Sequence, residues 1–307
     1  MFSPDNLLSC LTQFPIQHIY LGYSGGLDSH VLLHALHDLK QRYSLPPITA
    51  IHINHGLSPH AHEWESHCEG VCEKLKIPFQ SFSIKISEDK SQSLEEKARE
   101  ARYQIFSELM KPNDALLTAH QKNDQAETVL YRLFRGTGLK GLSGMSVAMP
   151  YVTGYLLRPL LPYTRQELEV YATTHELQWI EDESNTNTRF DRNFIRHSVL
   201  PLLKTRWTEV ENHLTRVADF STEAQILLED LADQDKKFCE GSVSNTLSIQ
   251  KLLTLTPERQ NNVLRYWFQT FDIALPSQRK LQHIMTDVIH SRADAMPEVI
   301  WGTSCVR

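Results

Sequence analysis

The chain has 307 residues, 41% hydrophobic and 22% charged, an ordinary balance for a globular protein, and no apolar run approaches the roughly 20 residues that cross a bilayer. A net charge of −6 argues against a general nucleic-acid binder, and Met1 to Gln13 carries Asp5 but no basic residue, so the positive start of an export signal is missing. Two domains, a cytoplasmic location and no membrane contact are expected.

In chain order, His18 to Tyr23 reads as a buried strand, and Val31, Leu32, Leu33, Leu36 and Leu39 fall on one stripe of the helix that follows. Between them lies Ser24-Gly25-Gly26-Leu27-Asp28-Ser29. Two glycines let backbone N–H groups approach an anion, and a helix N-terminus, with Ser29 as its expected N-cap, adds unpaired donors. The loop is shorter than the common lysine-bearing P-loop and carries Asp28 in place of a cation. A carboxylate beside a polyphosphate repels it unless a divalent ion bridges them, which points to Mg²⁺.

Further strands are expected at Ile48 to Asn54, Phe79 to Ile86, Ala115 to His120 and Tyr155 to Leu161, with helices at about His62 to Leu75, Leu94 to Met110 and Asp124 to Phe134. Such alternation implies an α/β fold, a doubly wound parallel five-stranded sheet in the order 3-2-1-4-5. Ligands then bind where the carboxyl ends of strands 1 and 4 part. Strand 4 runs into Thr118-Ala119-His120, with Asp124 placed to share the metal with Asp28 and also able to cap the next helix. Strand 2 ends in His52 and Asn54, beside the place a nucleoside base would occupy.

From Thr128 to Gln166 there is no acidic residue, while Arg132, Arg135, Lys140, Arg158 and Arg165 all lie there. A second basic segment holds Arg189, Arg192, Arg196, Lys204 and Arg206. Concentrated basic segments in an acidic chain suit one specific polyanion. The five cysteines are scattered, without a CxxC pair, and read as reduced thiols; Cys68 and Cys72, four apart on one helix, are expected to face the core. From Asn193 the chain reads as nearly all helix, with a long amphipathic segment from Val210 to Phe238. Leu252, Leu253, Leu255, Val263, Leu264, Trp267 and Phe268 form the expected core of a small C-terminal unit, giving a nucleotide-binding domain over 1–208 and a smaller, mostly helical one over 209–307.

The glycine loop resembles that of the N-type ATP pyrophosphatases (the PP-loop group), which adenylate a carbonyl oxygen and release pyrophosphate. Taken with His52-Ile53-Asn54-His55-Gly56, Glu95 with Ala98-Arg99 and Arg102-Tyr103, His120 through Asn123-Asp124 with Glu127-Thr128, Arg135-Gly136-Thr137-Gly138, Arg158-Pro159-Leu160, Glu181-Asp182 with Ser184-Asn185, and Arg192-Asn193 with Arg196, the chain is similar to the tRNA(Ile)-lysidine synthetases over about residues 15–205. The region from Leu247 to Trp301 resembles that family's small substrate-recognition domain less specifically.

The resemblance implies ATP and Mg²⁺ as cofactors, and tRNA(Ile) with a CAU anticodon and L-lysine as partners. It implies a phosphate cradle at Ser24, Gly25, Gly26, Leu27, Asp28 and Ser29, with His52, Asn54 and His120 lining the nucleotide site. Asp28 and Asp124 would hold the metal, Arg192 and Arg196 would meet the α-phosphate or the tRNA backbone, and Arg135, Lys140, Arg189 and Arg206 would contact tRNA. A homodimer is left open. Two departures stand out, Asn123 where a second aspartate is common and Ser58 where arginine is frequent. The chain ends at Arg307, where longer relatives continue into a further domain, so weaker tRNA binding is expected. Rival readings are another PP-loop adenylating enzyme, such as a tRNA 2-thiocytidine synthetase, or a nucleotide-binding module without turnover. The missing CxxC pairs speak against the first, and the presence of both Asp28 and Asp124 against the second.

Overall fold

A computed structural model of the chain describes every residue except 55, 57, 59, 85–93, 182–189, 272–274 and 293–295. It divides into two units, Met1–Asp219 and Phe220–Arg307, and the boundary falls inside one helix.

The first unit is built on strands β1 (Ile19–Gly22), β2 (Ile48–Asn54), β3 (Phe79–Ser83), β4 (Ala115–Leu117), β5 (Ala148–Tyr151) and β6 (Gly154–Leu157). Their order is β3-β2-β1-β4-β6-β5. The expected order 3-2-1-4-5 holds for the parallel strands, with β6 in fifth place, but the sheet has six strands rather than five. The extra one, β5, runs antiparallel to β6 as a hairpin. Pro150 hides this strand in the sequence, yet a residue without an N–H is tolerated on an edge, which is where β5 lies.

Helices α1 (Leu8–Thr12), α2 (Leu27–Arg42), α3 (Ala61–Lys74), α4 (Leu94–Leu109), α5 (Lys122–Phe134), α6 (Leu139–Leu142) and α7 (Arg165–Thr174) connect or flank the strands. Side chains alternate across a strand, so Ala115 and Leu117 pack with Val31, Leu36 and Leu168 on one face, whereas Leu116 meets Ile51, Phe106 and Met110 on the other. Both faces are therefore dry, as a parallel sheet requires. Leu21 pairs with Ala50 on one side and Leu117 on the other, which sets the ends of β1 and β4 level and opens the crevice between them. Beyond β6 come α8 (Asp191–Phe194), a π-helical turn (Ile195–Val199), α9 (Leu200–Lys204) and α10 (Val210–Phe238). Ile195, Leu200 and Val210 pack on Ala126 and Leu130 of α5 and so carry the basic segment to that helix.

The second unit adds α11 (Ile249–Leu252), α12 (Pro257–Gln269), α13 (Gln278–His283) and a hairpin of β7 (Val299–Trp301) and β8 (Ser304–Val306). Its core holds Leu252, Val263, Leu264 and Phe268, with Leu255 and Trp267 against it. Leu253 departs from expectation and is exposed, because the short α11 turns its neighbour Leu252 inward instead. Among the described residues no helix is long and apolar enough to cross a membrane.

Candidate active site

The glycine loop joins β1 to α2. Gly25 takes φ +82°, a left-handed conformation, and a Cβ there would lie 2.7 Å from Cys68 Sγ and 2.9 Å from Ile180 Cδ1. Only glycine fits both the turn and the space. The loop is braced by Ile180 N–H donating to Gly25 O at 2.9 Å and by the Ser24 and Ser29 hydroxyls, 3.1 Å apart. Gly26, not Ser29, is the N-cap of α2. Ser29 lies inside the first turn and donates to Gly26 O at 3.0 Å, and no side chain among the described residues caps the 16-residue helix, which leaves its leading N–H groups open to an anion.

Asp28 sits in that first turn with Oδ1 enclosed and without a hydrogen-bond partner among the described residues, while Oδ2 lies 4.0 Å from Arg165 Nη1 at the start of α7. Burial, then the charge of Asp124, push its pKa up to about 7 against the pull of Arg165 and Arg196. An enclosed, unpartnered hard oxygen facing a second carboxylate fits a divalent cation such as Mg²⁺.

Asp124 comes from the start of α5. Its Oδ2 accepts from the Gln121 N–H at 3.0 Å, completing a capping box, and its Oδ1 accepts from Arg196 Nη2 at 2.9 Å. One side chain thus both caps α5 and holds Arg196. One turn on, Glu127 is 1% exposed, and Arg196 reaches it through Nε at 2.6 Å and Nη2 at 2.9 Å, with Arg192 Nε at 3.3 Å. Burial raises the Glu127 pKa, offset by the Arg196 hydrogen bond; burial likewise opposes the Arg196 charge, but Glu127 and Asp124 hold its pKa above the ordinary value. In the sequence Glu127 stands out only as one residue of the run from His120 to Thr128. Its signal was available, since an acid three residues after Asp124 shares its helical face.

Arg196 lies in the π turn. Pro201 has no N–H and its ring crowds the carbonyl four residues back, and the Leu200 N–H bonds to Ile195 O, five residues back. Arg196 reaches Glu127 from this widened turn, and Arg192 reaches it from α8 just before.

His120, at the end of β4, hydrogen-bonds Thr118 Oγ1 at 2.9 Å, and burial with the charges of Arg158, Arg192 and Arg99 lowers its pKa despite Asp124. Around it the guanidiniums of Arg99, Arg132 and Arg158 have no carboxylate ion pair among the described residues. Arg99 lies over the Tyr103 ring at 4.8 Å, Arg132 donates to Gly141 O and Gly144 O, and Arg158 donates to Ser146 O while its Nε is buried without a hydrogen-bond partner among the described residues. Burial and the mutual repulsion of these charges lower the pKa of Arg132 and Arg158. Clustered cations without counter-charge favour an anionic ligand.

His52 and Asn54 make hydrogen bonds within the first unit. His52 Nδ1 lies 3.0 Å from Tyr23 O, and Asn54 donates to Glu65 and accepts from the Gly56 N–H, so both brace the end of β2. Cys68 and Cys72 are fully buried, and burial pushes both thiols up to about 12. Arg135, Lys140 and Arg206 are exposed, Arg135 lying against Tyr131; Arg189 falls outside the described residues.

A parallel sheet wound both ways, with a lysine-free glycine loop and two carboxylates at its switch point, defines a PP-loop nucleotide-binding protein. The PP-loop domain model matches residues 3–203, and the TilS substrate-binding domain model matches residues 247–307. The tRNA(Ile)-lysidine synthase of Coxiella burnetii is 44% identical over all of this chain and 68% of its own length, and that of Legionella pneumophila (strain Lens) is 43% identical over all of this chain and 69% of its own. The U34-tRNA thiolase NcsA of Methanococcus maripaludis shares the fold at 16% identity, with a TM-score of 0.61 over 72% of this chain and 78% of that one. The chain belongs to the tRNA(Ile)-lysidine synthase family.

Proposed function

We propose that the chain adenylates the wobble cytidine of tRNA(Ile) with a CAU anticodon and then joins L-lysine to its C2. Cytidine O2 attacks the α-phosphate of ATP and pyrophosphate leaves; the lysine ε-amine then attacks C2, and AMP departs with the original oxygen. Adenylation is needed because a urea-like carbonyl oxygen is a very poor leaving group. The observation that carries this reading is the meeting of the free α2 N-terminus, Asp28 and Asp124 where β1 and β4 part.

The loop N–H groups bind and orient the departing pyrophosphate. Asp28 and Asp124 would hold Mg²⁺, which when bound neutralises charge on the phosphates. Arg192 and Arg196, fixed on Glu127, aim guanidinium donors at the α-phosphate or the tRNA backbone. Arg99, Arg132 and Arg158, without a carboxylate ion pair among the described residues, suit the carboxylate of free lysine, and the exposed Arg135, Lys140 and Arg206 suit tRNA phosphates. A cytoplasmic location follows from that substrate. Incubation with ATP, radiolabelled lysine and a mixed tRNA pool tests the reading. Label in one isoleucine tRNA, with AMP formed in step, is expected; AMP formation that ignores lysine or tRNA would overturn it.

A further inference from the structure

The residue beside Asp124 connects the two carboxylate-bearing loops. Asn123 Oδ1 accepts from the Arg165 N–H at 3.1 Å, at the first residue of α7, and Asn123 Nδ2 donates to Glu211 Oε1 in the first turn of α10. Its own backbone N–H donates to Gln121 Oε1 at 2.7 Å. On one side Arg165 extends its side chain to within 4.0 Å of Asp28, and on the other Glu211 is held by Lys204 Nζ at 2.6 Å. The resulting chain of partners, Asp28–Arg165–Asn123–Glu211–Lys204, draws on five segments of the first unit.

We propose that Asn123 is a positioning residue, setting the separation of Asp28 and Asp124 by tying the start of α5 to α7 and α10. The amide is required because it accepts and donates at once. A carboxylate at this position would still accept from the Arg165 N–H, but it would face Glu211, itself only 9% exposed, as a like charge at hydrogen-bond distance. Asn123 and Glu211 therefore act as a matched pair. The identity of residue 123 determines which residue is tolerated at 211.

This inference rests on the reading of Asp28 and Asp124 as the carboxylates of the ATP chemistry, and a four-protein cycle separates the two. Wild type, Asn123→Asp, Glu211→Gln and the double variant are compared in tRNA- and lysine-dependent AMP formation. Asn123→Asp is expected to lower kcat about tenfold, the size of a typical coupling between contacting residues, with KM for tRNA and lysine within twofold. In the double variant the new amide at position 211 donates to the new carboxylate at position 123, the link is restored with its direction reversed, and most of kcat should return. A wild-type kcat in Asn123→Asp, or a double variant no faster than that single variant, overturns the proposal. A merely structural residue would lower melting temperature without the split between kcat and KM. The same cycle followed by thermal unfolding reads the 123–211 coupling without substrate, so a silent wild-type assay would sink the functional reading alone.

Discussion

Arg196 donates to Asp124 Oδ1 at 2.9 Å, so a side chain read as a phosphate ligand is already engaged with a carboxylate read as a metal ligand. Asp28 Oδ1, by contrast, has no partner among the described residues. The two carboxylates of the crevice are thus unequal: one is held by hydrogen bonds from Gln121 and Arg196, and the other, half-buried with Arg165 Nη1 4.0 Å away, has its pKa pushed up to about 7.

Asp28→Asn and Asp124→Asn should each lower turnover by about 10²-fold or more, since each removes charge from the group that stabilises the departing phosphate. Folding should differ between them, because Asp124 also caps α5 and pairs with Arg196. Steady-state AMP formation at matched Mg²⁺ and ATP, alongside circular dichroism, checks both. Full activity in either variant would remove that residue from the site.

Stability should respond to pH in two opposite ways. Asp28 keeps its proton up to about pH 7 when folded but titrates near 3.8 when unfolded, so its contribution weakens as pH rises through that window. Asp28→Asn should therefore melt above wild type at pH 8 in the presence of a chelator, with the gap closing toward pH 4. His30 is the reverse case: burial, with His67 and His34, lowers its pKa to about 4, so its contribution is present above pH 6.5 and lost as pH falls toward 4. His30→Gln should flatten the acid side of the melting profile.

Glu127→Gln leaves Arg192 and Arg196 without their shared carboxylate. The arginines are about one-third exposed, which limits the loss to about 2 kcal/mol of unfolding free energy by denaturant titration. Turnover should fall at least tenfold. Wild-type kcat with lowered stability would show that Glu127 serves packing alone.

Gly25→Ala should abolish nucleotide binding, because the methyl group meets Cys68 and Ile180 and the backbone is held at positive φ. Calorimetric titration with ATP reads the result directly, and retained affinity would place the phosphates elsewhere.

Arg135→Ala and Arg206→Ala should each reduce the salt dependence of tRNA binding by a slope of roughly 0.7 to 0.9 per phosphate contact removed. ATP affinity should not change. An unaltered salt slope would make these exposed cations bystanders.

Local pattern carried the parallel core and the phosphate loop. The strand at Ile48 to Asn54 and the helix at Val210 to Phe238 fall where the apolar spacing places them, since each buries a face whose period is written in the chain. The hairpin partner β5 was not legible: Pro150 masks its strand character, and the pairing depends on a turn at Val152 and Thr153. Asp28 and Asp124 were legible as candidates because each opens a helix that follows a recognisable strand. The commitments of His52 to Tyr23 and Asn54 to Glu65 link residues 29 and 11 positions apart, and no sequence period encodes them.

The π turn at Ile195–Val199 amounts to one residue inserted into an otherwise continuous helical rod. Deleting a single residue there would restore ordinary winding and leave the rod downstream in phase, because the widened turn already absorbs the extra residue. Lys204 would keep its pairing with Glu211 and Arg192 its place upstream, while the side chains inside the turn, Arg196 among them, would be re-aimed. The surplus residue is therefore felt at Arg196 and not beyond it: the rod on either side would run on unaltered, and the aim of one guanidinium would change.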